Sequence, residues 1–213
     1  MQPGKLYRAL RRKHGRPSGQ WALWCRRPKT DEEREQVIIE AVLTQRANWK
    51  NVEAAIARLR SAGALRLSAI VRLSADTLEQ LIRPSGFYRQ KASRLAAVAS
   101  FFLSRGGVEG CARIPTETLR EELLRVRGIG PETCDDILCY ALHRPVFVVD
   151  EYTRRIARLE GGAGSFSYDY DALQALFTRG LRKDWRLYQD FHALIVIDGK
   201  HRLAAARRKG TSV

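Results

Sequence analysis

Residues 123–150 decide the fold of this chain and read LLRVRGIGPETCDDILCYALHRPVFVVD. An amphipathic segment ends in the turn 126–130, and Pro131 suits the start of a second helix because its missing N–H would be unpaired there anyway. The apolar residues after Pro131 follow the i, i+3, i+4, i+7 spacing of one helix face. They are Cys134, Ile137, Leu138, Ala141 and Leu142. The stretch therefore predicts two helices joined by a tight hairpin.

The same hairpin predicts a phosphate site that is followed by an acid. Its two glycines allow a tight turn with positive φ. The backbone amides of Gly130, Glu132 and Thr133 would then point to solvent at a helix N-terminus, where anions bind. An apolar run at 145–149 leads to one carboxylate, Asp150, at the start of another helix. We therefore expect a phosphate clamp with a carboxylate at a fixed distance along the chain.

Composition indicates a basic, globular protein. The 213 residues contain 38 Lys and Arg against 23 Asp and Glu, a formal net charge of +15. Such a charge favours acidic partners, with nucleic acid the commonest, although a merely solubilising basic surface is the alternative. No apolar run approaches the roughly 18–20 residues of a membrane span, and the N-terminus lacks the apolar core of a secretory signal. We expect a soluble, cytoplasmic monomer.

The pattern of the chain predicts an all-α fold, because helical periodicity recurs throughout and sustained alternation is absent. Residues 15–28 are rich in Gly, Pro and Trp and predict a loop. Predicted helices cover 6–12, 31–44, 49–59, 75–82, 88–102, 118–125, 151–159, 170–178 and 185–197.

The four cysteines predict neither disulfides nor a zinc site. They are scattered through predicted helices and form no C-x-x-C pair, so we interpret them as buried thiols. They are Cys25, Cys111, Cys134 and Cys139.

At the hairpin the chain resembles a known family. VRGIGPETCDDIL followed by VVDEYTRR is similar to the helix-hairpin-helix and catalytic aspartate of the endonuclease III superfamily of DNA glycosylases. The resemblance covers about residues 20–200. It implies two helical domains with the active site in the cleft between them: a six-helix domain at 30–143 that contains the hairpin, and a second domain from 1–29 plus 144–213.

The resemblance gives two carboxylates a place in the active site. It implies that Asp150 is the catalytic carboxylate, whereas an arbitrary Asp before a helix is more simply an N-cap. Glu132 stands where bifunctional members carry a lysine that attacks the sugar C1′ as an amine. Because a carboxylate cannot form a Schiff base, the resemblance implies a monofunctional glycosylase. Glu132 could equally serve only the helix dipole.

The GIG-x-E segment, with 41–52 and 83–95, most resembles the endonuclease III-like 3-methyladenine DNA glycosylases, enzymes of base excision repair. Their substrates are alkylated purines, whose positive charge suits aromatic faces. Trp24 and Trp49 match the pocket aromatics of this group and Pro28 a nearby proline; cation–π stacking contributes about 0.5–2 kcal/mol. Core packing is the alternative role for each tryptophan.

Extruding a base leaves a gap in the duplex that must be filled. Gln45 and Phe87 match the two residues that fill it in the superfamily. Phe87 would act as an apolar wedge or, alternatively, pack under its own loop. Phosphate contacts would come from the amides of Gly128, Gly130 and Thr133. We expect Arg89 and Lys91 to help them, and binding of double-stranded DNA with damaged bases to be salt-dependent.

Cofactors are not expected. Many relatives bind a [4Fe–4S] cluster through four cysteines near the C-terminus, but no cysteine follows Cys139. A monovalent cation on the hairpin carbonyls is compatible with the resemblance. Lys200 lies near where the cluster loop would begin, and His192, on an apolar helix face, is interpreted as a core residue. Two other functions stay open: a glycosylase for an oxidised, deaminated or mismatched base, and a non-catalytic binder of damaged DNA.

Overall fold

The computed structural model describes residues 2–161 and 169–208, and all regular structure within these ranges is helical. None of the helices described is both long and apolar enough to cross a membrane. The helices are α1 (Pro3–His14), α2 (Trp21–Trp24), α3 (Asp31–Leu43), α4 (Trp49–Ser61), α5 (Leu67–Ile70), α6 (Ala75–Ile82), α7 (Tyr88–Leu103), α8 (Gly107–Arg113), α9 (Thr116–Leu124), α10 (Pro131–Asp136), α11 (Glu151–Gly161), α12 (Tyr170–Thr178) and α13 (Trp185–Arg208).

The chain divides by its internal contacts into two units. The central unit is Arg26–Leu142, and the terminal unit consists of residues 1–25 and His143–Val213. The predicted domain limits are residues 30 and 143. The expected loop at 15–28 contains the single helical turn α2, which is a difference from the prediction. Two residues on this turn, Trp21 and Trp24, are buried, and their burial accounts for the extra turn.

In the central unit, polar residues before the helices cap their first turns. Thr30 forms a capping box with Glu33: the Thr30 Oγ1 accepts from the Glu33 amide at 3.3 Å, and the Glu33 carboxylate accepts from the Thr30 amide at 2.9 Å. The side chains of Asn48 and Ser74 cap α4 and α6 by accepting hydrogen bonds from the amides of Asn51 and Thr77. These caps satisfy backbone amides that have no partner within a helix.

Helix α3 forms the centre of this core. Residues 37–43 are all buried, and α3 packs against α7 and the segment after α10. That segment, Ile137–Ala141, is a π-helical turn in which every residue is buried. The five apolar positions predicted for the second hairpin helix are therefore all inside the core, although the helix widens after Asp136.

The terminal unit is built on the long helix α13, against which α1 and α11 pack. The apolar run before Asp150 enters this core as non-helical chain. Its Phe147 stacks on Phe177 with ring centroids 5.5 Å apart and lies 5.5 Å from Phe191. Burial of these aromatic rings fixes the position at which the chain reaches Asp150.

A buried carboxylate, Asp198, joins α1 to α13. It accepts a hydrogen bond from Lys13 at 2.6 Å and from Arg202 at 2.5 Å, and the His14 imidazole lies 2.8 Å from it. Burial alone would raise the pKa of Asp198, but the hydrogen bonds from these three partners outweigh burial and hold the pKa well below its ordinary value. The cluster therefore stabilises the terminal unit as long as Asp198 is ionised.

Asp198→Asn should lower the free energy of unfolding by about 2 kcal/mol at pH 7, because Lys13, Arg202 and His14 lose their charged acceptor. The pKa of Asp198 is lower in the folded than in the unfolded state, so its contribution is complete above about pH 4 and declines as the pH falls further. Urea denaturation at pH 7 and pH 3 measures the difference between the two proteins, which should narrow at pH 3.

Glu53→Gln, at an exposed position on α4, is the control and should change stability by less than about 0.5 kcal/mol. A gap between wild type and Asp198→Asn that stays constant down to pH 3 would contradict this account of the cluster.

Candidate active site and nucleic-acid interface

The predicted hairpin is present between α9 and α10. Gly128 has φ +84°, in the region that favours glycine. Gly130 has φ −94° and ψ 177°, so the expectation of positive φ at both glycines is wrong for Gly130. Instead Gly130 is the N-cap of α10, and its carbonyl accepts from the Cys134 amide at 2.9 Å. The buried side chain of Ile129 holds the turn against the core while both glycines stay exposed.

The N-terminus of α10 combines exposed and buried positions. Gly130, Pro131 and Glu132 are exposed, whereas Thr133 is 6% exposed. The start of a helix attracts anions because its first amides lack partners within the helix. A phosphate contact at Gly130 agrees with this exposure, and the contact expected from the Thr133 amide stays a prediction.

Gln45 lies in contact with the hairpin. Its Nε2 donates to the Gly128 carbonyl at 3.2 Å and to the Thr133 hydroxyl at 2.9 Å. Its Oε1 accepts from Nη1 of Arg94, on α7, at 2.6 Å. The central unit therefore brings Gln45, a predicted gap-filling residue, into contact with the hairpin, which lies more than 80 residues further along the chain. Arg94 was not among the predicted site residues.

Phe87 projects from the turn before α7. It adopts a left-handed backbone conformation, φ +46°, and 56% of the residue is exposed. A non-glycine residue in this region is uncommon and carries backbone strain. This exposure argues against the alternative that Phe87 packs under its own loop, and it agrees with the role of a wedge.

The two basic residues predicted to contact phosphate differ sharply. The side chain of Arg89 is 80% exposed, with its nearest acid, Glu79, at 3.7 Å, and it is free to reach a phosphate. Lys91 is completely buried, and its ammonium donates to the carbonyls of Leu43 and Ser85. The expected phosphate contact by Lys91 is therefore wrong, because the sequence pattern could not show that this lysine faces the core.

Asp150 is the N-cap of α11. Its Oδ1 accepts from the Thr153 amide at 2.7 Å and from the Thr153 hydroxyl at 2.9 Å. Its Oδ2 lies 3.6 Å from Nε2 of His192 on α13. Capping holds one carboxylate oxygen in place and leaves the other beside the imidazole. The two readings of Asp150, a helix cap and a reactive carboxylate, are thus compatible in one geometry.

The surroundings of Asp150 favour its ionised form. Burial would raise the pKa of Asp150, but the nearby His192 imidazole and the two hydrogen bonds from Thr153 lower it, so the pKa lies below its ordinary value. His192 was predicted to be a core residue, and it is buried; its position beside Asp150 was missed. No local signal could reveal it, because the two residues are on different helices.

The tryptophans assigned to the base pocket belong to different units. Trp24, in the terminal unit, is 4% exposed and meets Trp21 edge to face, with centroids 5.7 Å apart. Trp21 also meets His192 edge to face at 5.7 Å. Trp49 begins α4 in the central unit and is partly exposed, and Pro28, in the same unit, is exposed. Their pocket role stays a prediction.

Lys200 is an exposed residue on α13 whose ammonium donates to the side chain of Gln20. Although the residue as a whole is exposed, its ammonium is partly buried, and this burial outweighs the attraction of the Asp150 carboxylate and lowers the pKa of Lys200. In the described part of the chain no group of three or more His, Cys, Asp or Glu side chains could hold a metal ion. The cysteines there are free thiols.

Gly128→Ala should reduce the free energy of unfolding by about 1–2 kcal/mol, because alanine disfavours positive φ. Its Cβ would also lie 2.5 Å from Cγ of Arg94, which would have to move. Gly130→Ala is the matched control: its φ is negative and no atom lies within 4 Å of the added Cβ. Urea denaturation of the two variants should separate them, and equal stabilities would contradict the described turn.

The chain is similar to known DNA repair proteins in sequence and in fold. A Methanocaldococcus jannaschii protein described as a DNA repair glycosylase is 44% identical to this chain over 169 residues. The match covers 78% of this chain and 76% of that protein. The 3-methyladenine DNA glycosylase of H. pylori, solved with 1,N6-ethenoadenine, is similar in structure with a TM-score of 0.76 and 26% identity, over 95% of this chain and 99% of that one.

An endonuclease III–DNA covalent intermediate matches with a TM-score of 0.71 over 94% of this chain and 87% of that one; at 18% identity it shows the fold alone. The family model for HhH-GPD superfamily base excision DNA repair proteins matches residues 39–180, two thirds of the chain. With the hairpin, the capped Asp150 and these similarities, the chain belongs to the helix-hairpin-helix (HhH-GPD) superfamily of base excision DNA repair proteins.

Proposed function

We propose that this protein is a monofunctional DNA glycosylase that hydrolyses the N-glycosidic bond of alkylated purines of the 3-methyladenine type. The observation that carries the proposal is the geometry of Asp150: at the start of α11, Thr153 bonds one carboxylate oxygen, and the other lies 3.6 Å from the His192 imidazole, in surroundings that lower its pKa. In sequence, Asp150 matches the catalytic aspartate of the superfamily that the chain resembles. The exposed Glu132, where bifunctional relatives carry lysine, supports the restriction to hydrolysis.

In this mechanism Asp150 acts on the developing positive charge of the sugar. As the bond between C1′ and the base breaks, the base leaves with the electron pair and C1′ becomes oxocarbenium-like. A preorganised carboxylate stabilises such a charge and orients the attacking water, whose oxygen forms the new bond to C1′. The proton released from that water passes to Asp150 or to solvent, and an abasic site remains.

A cationic base explains why no strong general acid is required. An N3- or N7-alkylated purine carries a formal positive charge, so it leaves as a neutral molecule without protonation. Aromatic faces bind such a base through cation–π contacts worth about 0.5–2 kcal/mol. The resemblance to the 3-methyladenine enzymes assigns base recognition to Trp24, Trp49 and Pro28. The similarity to the H. pylori 3-methyladenine DNA glycosylase supports the choice of lesion.

The partner is double-stranded DNA with a damaged base, which must leave the helix before it reacts. The exposed Phe87 and the hairpin-bound Gln45 are placed on turns of the central unit and are proposed to fill the gap. Arg89 and the amides at Gly128 and Gly130 would contact phosphates.

We propose a reaction without an iron–sulfur cluster, because residues 140–213 contain no cysteine that could bind one. A monovalent cation on the hairpin carbonyls is compatible with the proposal.

Two other functions remain as alternatives. Structures similar in fold include 8-oxoguanine DNA glycosylases, for example that of Thermotoga maritima with a TM-score of 0.63 and 15% identity, so a different lesion is the second candidate. A non-catalytic binder of damaged DNA is the third. The spacing of Asp150 from the hairpin argues against the binder, since binding alone does not need a carboxylate at this position.

Incubation with methylated genomic DNA, followed by identification of the released bases, tests the function. We expect release of 3-methyladenine. Asp150→Asn should slow single-turnover release by about 10²–10³-fold, by analogy with the loss of one electrostatic stabiliser. Release of an oxidised or deaminated base from suitably damaged DNA would favour the second candidate, and tight binding to abasic DNA without any release would favour the third.

Asp150→Ser is the control for the capping role of Asp150. A serine still caps α11 but lacks the carboxylate, so it should keep the thermal stability of the protein and lose as much activity as Asp150→Asn. Wild-type activity in Asp150→Ser would show that Asp150 serves only as a cap.

Borohydride should trap no covalent complex with abasic-site DNA, because Glu132 cannot form an imine at the position of the lysine nucleophile. Endonuclease III, of which a trapped covalent DNA intermediate is known in structure, serves as the positive control on the same oligonucleotide. A trapped band for the present protein of comparable intensity would overturn the monofunctional assignment.

A further inference from the structure

A lysine buried in the core of the central unit holds two separate turns. Lys91, on α7, has no exposed surface, and its ammonium donates to the Leu43 carbonyl and to the Ser85 carbonyl, each at 2.7 Å. Burial of an ammonium is costly unless hydrogen bonds replace its hydration. A buried lysine with two backbone acceptors therefore has a positional role that an apolar residue could not replace.

Both acceptors are carbonyls at helix ends. Leu43 is the last residue of α3, and the amide of Ala47, four residues on, bonds to the Thr44 carbonyl instead. Ser85 ends the short helical turn Arg83–Ser85 that precedes α7. Carbonyls at such ends lack partners within the helix. Lys91 supplies the missing donor to both and so fixes the distance between the two turns.

These turns carry the two residues that are proposed to fill the gap in DNA. Gln45 follows Leu43 by two residues, and Phe87 follows Ser85 by two residues. The ammonium thus bonds the backbone two residues before each member of the pair, so one charged group links the two turns that carry them. The strained backbone of Phe87 is the kind of conformation that persists only when its surroundings determine it.

Arg94, one turn further along α7, extends the same arrangement to the hairpin. Its Nη1 donates to Oε1 of Gln45, and its side chain lies over Gly128 so closely that a Cβ there would be 2.5 Å from Cγ of Arg94. Gln45 in turn donates to the carbonyl of Gly128. A single helix, α7, therefore contacts the turn before Gln45, the turn before Phe87 and, through Arg94, the hairpin that is proposed to bind phosphate.

We propose that Lys91 is a positioning residue for base extrusion, holding Gln45 and Phe87 at the separation that the gap in the duplex requires, with Arg94 as its partner toward the hairpin. The proposal rests on the proposed function of this surface, DNA binding with base extrusion, and it does not depend on which lesion is excised.

The charge state of Lys91 is consistent with this role. Burial, with a smaller contribution from the positive charge of Arg94, lowers the pKa of Lys91 to about 8. The neutral amine still has two N–H donors for the two carbonyls, so the link can persist at alkaline pH. Loss of the donors, rather than loss of the charge, is therefore the change to test.

The experiment compares binding to two duplexes of one sequence, undamaged and with a single tetrahydrofuran abasic analogue. Lys91→Met keeps the length of the side chain and removes its donors. It should lower the affinity for the abasic duplex about tenfold, as expected for the loss of two charge-assisted hydrogen bonds that organise the site. Affinity for the undamaged duplex should change less than about twofold, since the phosphate contacts remain.

Arg89→Met is the matched control on the same helix. Because Arg89 is exposed and is proposed to contact phosphate, its loss should weaken binding to both duplexes by the same factor. Arg94→Met, at a partly exposed position, should change the affinity ratio in the same direction as Lys91→Met. It keeps the proposal testable if Lys91→Met fails to fold by circular dichroism.

A fluorescent base separates positioning from a purely structural role. With 2-aminopurine opposite the abasic analogue, binding of the wild-type protein should raise the fluorescence as the inserted side chains unstack the base. Lys91→Met should bind at saturating concentration without this rise. The proposal would be overturned if Lys91→Met and Arg94→Met left the ratio of the two affinities unchanged or weakened binding to both duplexes equally. A fluorescence rise of wild-type size with Lys91→Met and Arg94→Met would also overturn it.

Failure of this proposal and failure of the proposed function are distinguishable. If methylated DNA releases no base but the affinity ratio falls as expected, the positioning role stands and the glycosylase assignment does not. If the wild-type protein itself has no preference for the abasic duplex, Gln45 and Phe87 do not fill a gap and the positioning role is refuted whatever base is released.

Discussion

Backbone groups left without partners at helix ends are the constraint on which the rest of this structure depends. A fold made of many short helices has many such ends, and buried ones must be satisfied. The chain meets this requirement with side chains: Thr30 caps α3, Asp150 caps α11, and Lys91 bonds the carbonyls at the ends of two turns. Where an end stays exposed, at α10, it becomes the proposed phosphate site. Backbone groups at helix ends therefore contribute to stability where they are capped and to the proposed phosphate binding where they are exposed.

The two proposed chemical tasks are assigned to different units. The central unit carries the hairpin, Gln45 and Phe87, which are proposed to grip and open DNA, and the terminal unit carries Asp150. Each unit orients its own residues through internal contacts: α7 supplies the side chains that hold the turns carrying Gln45 and Phe87, and α13 supplies His192 beside the carboxylate. The placement of Asp150 is thus a property of the terminal unit's aromatic core, through the buried residues that lead to it.

Much of the fold could be predicted because it rests on local patterns. Helical periodicity, the acidic first turn of α3 and the Gly-x-Gly-Pro turn are encoded within a few residues, and the corresponding helices are present. Local reasoning failed where burial changes the meaning of a residue. Lys91 looked like a phosphate contact beside Arg89, yet it faces the core two residues away. Gly130 looked like a second residue with positive φ, yet it has the extended conformation of an N-cap.

The sequence by itself determined the family, the all-α class, the hairpin and the position of Asp150 along the chain, because each depends on residue types at short, fixed spacing. Only the tertiary structure decided which distant side chains complete these features. His192 meets Asp150 from another helix, Arg94 meets Gln45 across 49 residues, and Lys91 reaches Leu43 across 48. The physical reason is that hydrogen bonds and pKa values depend on distance and burial, which packing sets and which local periodicity does not contain.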